Sequence, residues 1–141
     1  MLLRMTTLLP LLLVASLAGC RDRAVEQSRY HYHLNKLNKR WVAVRNNFQT
    51  ETPDVYLVTV LNRDFAELGA AMRRTYKGSN RDELLPRLKE LAMKFSAGIN
   101  PLVGRTSSGG AILKPGATTD DVRDVIEKTY AEYQEFAKLV K

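Results

Sequence analysis

The 141-residue chain has one cysteine, two histidines and one tryptophan, and beyond its first twenty residues it has no long apolar run. A single cysteine excludes an internal disulfide framework, a cysteine-built zinc site and a CxxCH haem attachment. The two histidines, His31 and His33, are two positions apart. On a helix that spacing is about 200° around the axis, so they do not share one metal as an i, i+4 pair would. Both are expected on an exposed, basic helix face. A composition of 45% apolar and 26% charged residues is that of one ordinary folded domain. It is neither disordered in type nor apolar enough for a multi-span membrane protein.

What is present begins at the N-terminus. Arg4 is followed by the apolar run Leu8-Leu9-Pro10-Leu11-Leu12-Leu13-Val14-Ala15 and then by Leu17-Ala18-Gly19-Cys20. A basic start, a short apolar core and small residues before a cut site are the layout of a secretory signal. The run is too short to cross about 30 Å of hydrocarbon, and Pro10 makes it a poor permanent helix. Leu17-Ala18-Gly19-Cys20 resembles the lipobox of bacterial lipoproteins, matched at all four positions. The resemblance implies removal of residues 1–19 and a mature chain of 20–141 that carries lipid on Cys20. In that family an Asp directly after the cysteine retains the protein at the inner membrane. Arg21 stands there, with Asp22 one later, which implies the outer membrane, facing the periplasm. Acyl burial contributes about 0.8 kcal/mol per CH₂, so two or more chains make a stable tether without a spanning helix.

Without Arg4, 21 basic side chains face 15 acidic ones. The distribution is uneven. Arg21, Arg23, Arg29, Lys36, Lys39, Arg40 and Arg45 stand against only Asp22 and Glu26 in residues 21–47, whereas 118–141 hold six acids and four bases. Basic side chains beside a lipid anchor attract anionic headgroups at up to about 1 kcal/mol each. These seven are the expected contacts to an anionic surface, with peptidoglycan carboxylates or an acidic partner as equal candidates beside lipid headgroups, and the solvated face of an amphipathic helix as the plainer alternative.

Apolar residues recur in steps of three and four. Tyr30, Leu34, Leu37, Trp41, Val44 and Phe48 form a first stripe, which predicts a helix over 24–48. Thr52 as cap and Pro53 at the first helical position predict a second helix over 53–77, presenting Val58, Leu61, Phe65, Leu68, Met72 and Tyr76. The β-branched run Val55–Val60 leaves a short strand near 55–61 as an alternative. Asn80 and Glu83 stand at capping-box spacing and predict a third helix over 81–99 with Leu84, Leu88, Leu91, Phe95 and Ile99. Pro86 implies a later start or a distorted first turn. Thr118 with Asp121 opens a fourth helix over 118–141, with Val122, Ile126, Tyr133, Phe136 and Val140 inward. Residues 100–117 are the one long irregular stretch. Leu102, Val103, Ile112 and Leu113 either fold back over the end of the domain or present a partner-binding loop.

The expectation is an all-α, up-down-up-down four-helix bundle with a long third connection, α+β being the alternative. No catalytic constellation is evident. Ser107 and Ser108 lack a marked base, Gly104–Gly110 lacks the Gly-Lys-Ser/Thr ending of a phosphate loop, and Met72 and Met93 suit packing better than haem ligation. No cofactor or metal is expected, and an exported protein is not expected to meet nucleic acid despite a pI near 9.7. Two functional classes remain. One is a tethered, non-catalytic accessory protein that binds a component of a secretion, transport or cell-wall assembly. The other is a periplasmic immunity or inhibitor protein that occludes a toxin or hydrolase.

Overall fold

Four stripes of apolar residues at helical spacing become four helices. The structure is a computed structural model that describes residues 25–26 and 29–141. The expected signal segment 1–19, Cys20, Arg21, Arg23 and position 24 lie outside the described residues. The elements are α1 (Tyr30–Asn47), α2 (Tyr56–Thr75), α3 (Arg81–Ile99), β1 (Val103–Arg105), β2 (Ala111–Leu113) and α4 (Thr119–Leu139). The fold is an all-α four-helix bundle with a small hairpin between its third and fourth helices.

Paired residues fix the chain direction. Between α1 and α2, Tyr30 meets Thr75 and Arg40 meets Asp64; between α2 and α3, Asn62 meets Ser96. Lys94 of α3 meets Glu132 of α4, and Asn38 and Arg45 of α1 meet Tyr133 and Glu127 of α4. Gly69 lies against Leu88 and Gly98 against Val125, as second pairs for α2–α3 and α3–α4. Rising numbers on one helix thus meet falling numbers on the next in every case, so all four neighbouring pairs are antiparallel.

The core is a continuous apolar column. At its middle each helix contributes one aromatic: Trp41, Phe65, Phe95 and Tyr133. Trp41 lies 5.9 Å from Phe65, 5.8 Å from Phe95 and 5.7 Å from Tyr133 between ring centroids, mostly edge-on or tilted. Such pairs add about 0.5–1.5 kcal/mol each beyond area burial. Burial also raises the Tyr133 hydroxyl well above the usual phenol range, and that hydroxyl donates to Asn38 Oδ1 at 2.6 Å.

Several local expectations give way. The first helix does not run unbroken from 24, because Arg29 is extended (φ −81°, ψ 147°) and acts as the N-cap of α1. The second does not start at Pro53. Asp54, not Thr52, receives the first helical N–H, from Tyr56 at 2.9 Å. Asn47 exchanges two hydrogen bonds with the Asp54 backbone, at 3.0 and 3.1 Å, which pins this start to the end of α1. The alternative strand near 55–61 does not form: those residues enter α2, where Val58 and Leu61 are buried. Strand structure appears instead in the third connection. Val103, Gly104 and Arg105 pair with Leu113, Ile112 and Ala111. Pro86 sits inside α3, whose first turn still starts at Arg81, Glu83 and Leu84 both donating to the Asn80 carbonyl at 3.1 and 3.0 Å. Among the four described helices only α4 starts with a complete capping box, Thr118 Oγ1 accepting from Asp121 N at 3.1 Å and Asp121 accepting from Thr118 N at 2.8 Å.

Candidate functional site

The basic face expected of the first helix is largely engaged by the protein itself. Asp64 of α2 is 1% exposed and lies between two cations of α1, with Lys36 Nζ 3.1 Å from one oxygen and Arg40 Nε donating to the other at 2.8 Å. Lys36 also donates to Glu67, and that hydrogen bond is the main reason its ammonium titrates above the usual lysine range. Arg45 grips both oxygens of Glu127 at 2.8 and 2.9 Å while its guanidinium lies 4.2 Å from the Tyr130 ring centre. Lys36, Arg40 and Arg45 therefore serve as inter-helix ties. They flank the apolar stripe of α1 and meet carboxylates on α2 and α4, which the local charge count of residues 21–47 does not contain. His33, expected to be exposed, is mostly covered, its Nδ1 3.6 Å from Glu67 Oε2. His31 is exposed and stacks on Tyr30, with ring centres 3.9 Å apart. Met72 is buried in the core and Met93 is exposed.

Arg29 and Lys39 remain exposed, and neither forms an ion pair among the described residues. Arg29 lies at an end of the bundle where all four helices are sewn together. Tyr30 N donates to Thr75 Oγ1 at 2.9 Å, and Tyr30 Oη donates to the Lys141 carbonyl at 2.9 Å. Tyr76, 1% exposed, packs edge-on against Tyr30 at 4.9 Å and donates to Asn80 Oδ1 at 2.6 Å. Asn80 Nδ2 in turn donates to the Leu139 carbonyl at 2.9 Å, so this residue stands at the N-cap of α3 as expected, but its side chain joins α3 to the end of α4 instead of capping the helix. Arg73, Arg74 and Lys77, at the end of α2, are exposed and without ion pairs among the described residues, the Arg73 guanidinium lying back along the helix beside Gly69 at the rim of this end. Arg81 reaches the Arg73 carbonyl at 2.9 Å and Asp82 at 3.7 Å, and Lys138 is paired with Glu135. The remaining acids at this end are Glu26 and Glu83.

The opposite end is closed by the hairpin. Leu102, Val103 and Leu113 pack against the core, whereas Ile112 is 52% exposed, so the third connection both folds back and presents its outer face. Thr106 organises the tip, donating from N to the Gly110 carbonyl at 3.0 Å and accepting from Gly110 N through Oγ1 at 2.8 Å. Gly109 has φ +86°, a conformation that favours glycine. A cavity of about 230 Å³ lies between this tip and α2, lined by Tyr56, Thr59, Val60, Arg63 and Arg105 among others. Acids slightly outnumber bases around this end: Glu51, Asp54, Asp120, Asp121 and Asp124 against Arg63, Arg105, Lys114 and Arg123. Arg123 pairs with Asp120 and donates to the Phe48 carbonyl.

Among the described residues no three His, Cys, Asp or Glu side chains are grouped to hold a metal, and no helix is long and apolar enough to cross a membrane. No protein-family model matches the chain, and no curated protein or solved structure matches it.

Proposed function

We propose that the chain is a lipid-tethered protein of the cell envelope, anchored through Cys20, most consistent with the outer membrane facing the periplasm, where its helical domain acts as a non-catalytic accessory that binds a component of an envelope assembly. The observation that carries this reading is the complete Leu17-Ala18-Gly19-Cys20 motif at the close of an apolar run. The fold is consistent with it: α1 begins at Tyr30, ten residues beyond Cys20, so the bundle starts almost at once after the attachment point. The exposed outer face of the hairpin, with Ile112, is the surface this reading offers to a partner.

The test is the mass of the mature N-terminus and fractionation of wild type beside Cys20→Ser, followed by crosslinking from intact envelopes. The expected result is an acylated N-terminus at residue 20 and loss of membrane retention in the variant. Correct processing and full membrane retention of Cys20→Ser would overturn the tether. A crosslinked secretion, transport or cell-wall component supports the accessory role. A stoichiometric complex with a toxin or hydrolase replaces that role with a protective one.

A further inference from the structure

We propose that the end of the bundle carrying Arg29, Arg73, Arg74 and Lys77 is a docking face for anionic lipid headgroups, which sets the domain upright on the membrane with its hairpin end outward. The inference rests on the tether proposed above and adds an orientation and a lipid partner to it.

Three observations lead there. Arg29 and the 73–77 segment are distant in sequence, but the bonds from Tyr30 to Thr75 and from Tyr30 to Lys141 bring the start of α1, the end of α2 and the end of α4 to one place. All four cations are exposed and none is paired with a carboxylate among the described residues, unlike Lys36, Arg40 and Arg45 on the side of the bundle. Because neighbouring helices are antiparallel, the partial charges of their termini alternate at this end and largely cancel, leaving the side chains to set the potential.

Distance makes the partner a lipid surface. Ten residues from Cys20 to Tyr30 span at most about 35 Å when fully extended, but a flexible segment of that length reaches only about 15–20 Å on average. That is less than the roughly 30 Å length of α2, so a tether holds this end nearer the headgroups than the hairpin end. Screening acts over about 8 Å at physiological ionic strength, and the attraction therefore takes hold only for the face that the tether brings to contact. At the hairpin end the acids slightly outnumber the bases, which favours its pointing away from an anionic surface.

The experiment uses the full mature chain as Cys20→Ser, which has no site for the acyl anchor, mixed with vesicles of phosphatidylcholine alone or with phosphatidylglycerol added. Sedimentation with the anionic vesicles only, reversed at about 0.5 M salt, is the expected result. Arg73→Glu, Arg74→Glu and Lys77→Glu together are expected to weaken binding by at least about tenfold, each cation contributing severalfold. The corresponding Gln variants are expected to show a smaller loss, and circular dichroism checks that each variant folds. Arg105→Glu with Lys114→Glu, at the opposite end, is expected to leave binding within about twofold. Equal losses from the two ends, or no binding to anionic vesicles at low salt, would overturn the docking face. Neither outcome bears on the tether, which the mass of residue 20 reads separately.

Discussion

The two ends of the bundle are closed by different chemistry. At the Tyr30 end, side chains reach across helices: Tyr30, Thr75, Tyr76 and Asn80 form hydrogen bonds that join residues 45 to 111 positions apart, together with the close Tyr76–Asn80 pair. At the hairpin end, closure is mostly local. Backbone pairing in β1 and β2, the Thr118–Asp121 box and the Asn47–Asp54 exchange each join residues within ten or so positions of one another. The lesson is that an end where separate helices start and finish without a long connection of their own is tied by long-range contacts, whereas a connection with enough residues of its own can fold into its own cap. Charge divides along the same line, with cations that have no carboxylate partner among the described residues at the first end and a slight excess of acids at the second.

The largest effect comes from removing what both ends share. Trp41→Ala deletes the fully buried centre of the aromatic layer, and is expected to destabilise the fold by about 3–5 kcal/mol in denaturant unfolding. Asn80→Ala sharpens the comparison at the tyrosine end. It leaves the Tyr76 hydroxyl without its acceptor and the Leu139 carbonyl without its donor, an expected loss of about 2 kcal/mol from two hydrogen bonds. Hydrogen exchange should rise at both the start of α3 and the end of α4, since one side chain holds the two. An effect confined to α3 would reduce Asn80 to a local cap.

Gly98→Ala probes the opposite half of the α3–α4 seam. An added Cβ would meet both methyls of Val125, at 2.7 and 3.2 Å, so no simple rotation of that β-branched side chain relieves the contact. The helix-propensity gain of about 1 kcal/mol offsets only part of an overpacking penalty of about 1–3 kcal/mol, and a net loss near 1 kcal/mol is expected. A gain in stability would show that the helices separate freely at this end. The smallest effect is Thr118→Ala, about 1 kcal/mol, read in the same unfolding assay. It has a pH counterpart. Hydrogen bonds from the Thr118 side chain and backbone hold the Asp121 carboxyl below its ordinary value. Its stabilisation is therefore present above the ordinary carboxylate range and lost as pH falls through that lowered value. Wild type and Asp121→Asn should thus converge in acid and diverge near neutrality.

The apolar stripes were legible because helix periodicity is local: Leu37, Trp41, Val44, Phe48, Val58, Leu61, Phe65, Leu68, Phe95, Val122, Ile126 and Phe136 are all buried as their spacing implies. Thr118 with Asp121 was legible for the same reason, both partners lying within one turn. Asp64 was not. Nothing in its neighbourhood marks a carboxylate as buried, since its partners Lys36 and Arg40 sit on another helix. The docking face was hidden similarly. A local charge count gathered Lys36, Arg40 and Arg45 with Arg29 and passed over Arg73, Arg74 and Lys77, whose nearness to Arg29 exists only after α1 and α2 pair. The hairpin left a weak signal, glycines with scattered β-branched residues, too short for a strand reading by alternation.

By itself, then, the sequence determined the four helices, their inward faces and the lipobox-like run, because each depends on residues within a few positions of one another. Tertiary structure alone decided which cations stay free and where they gather. An ion pair between helices needs two side chains brought within about 4 Å by packing, and no spacing along one helix carries that information.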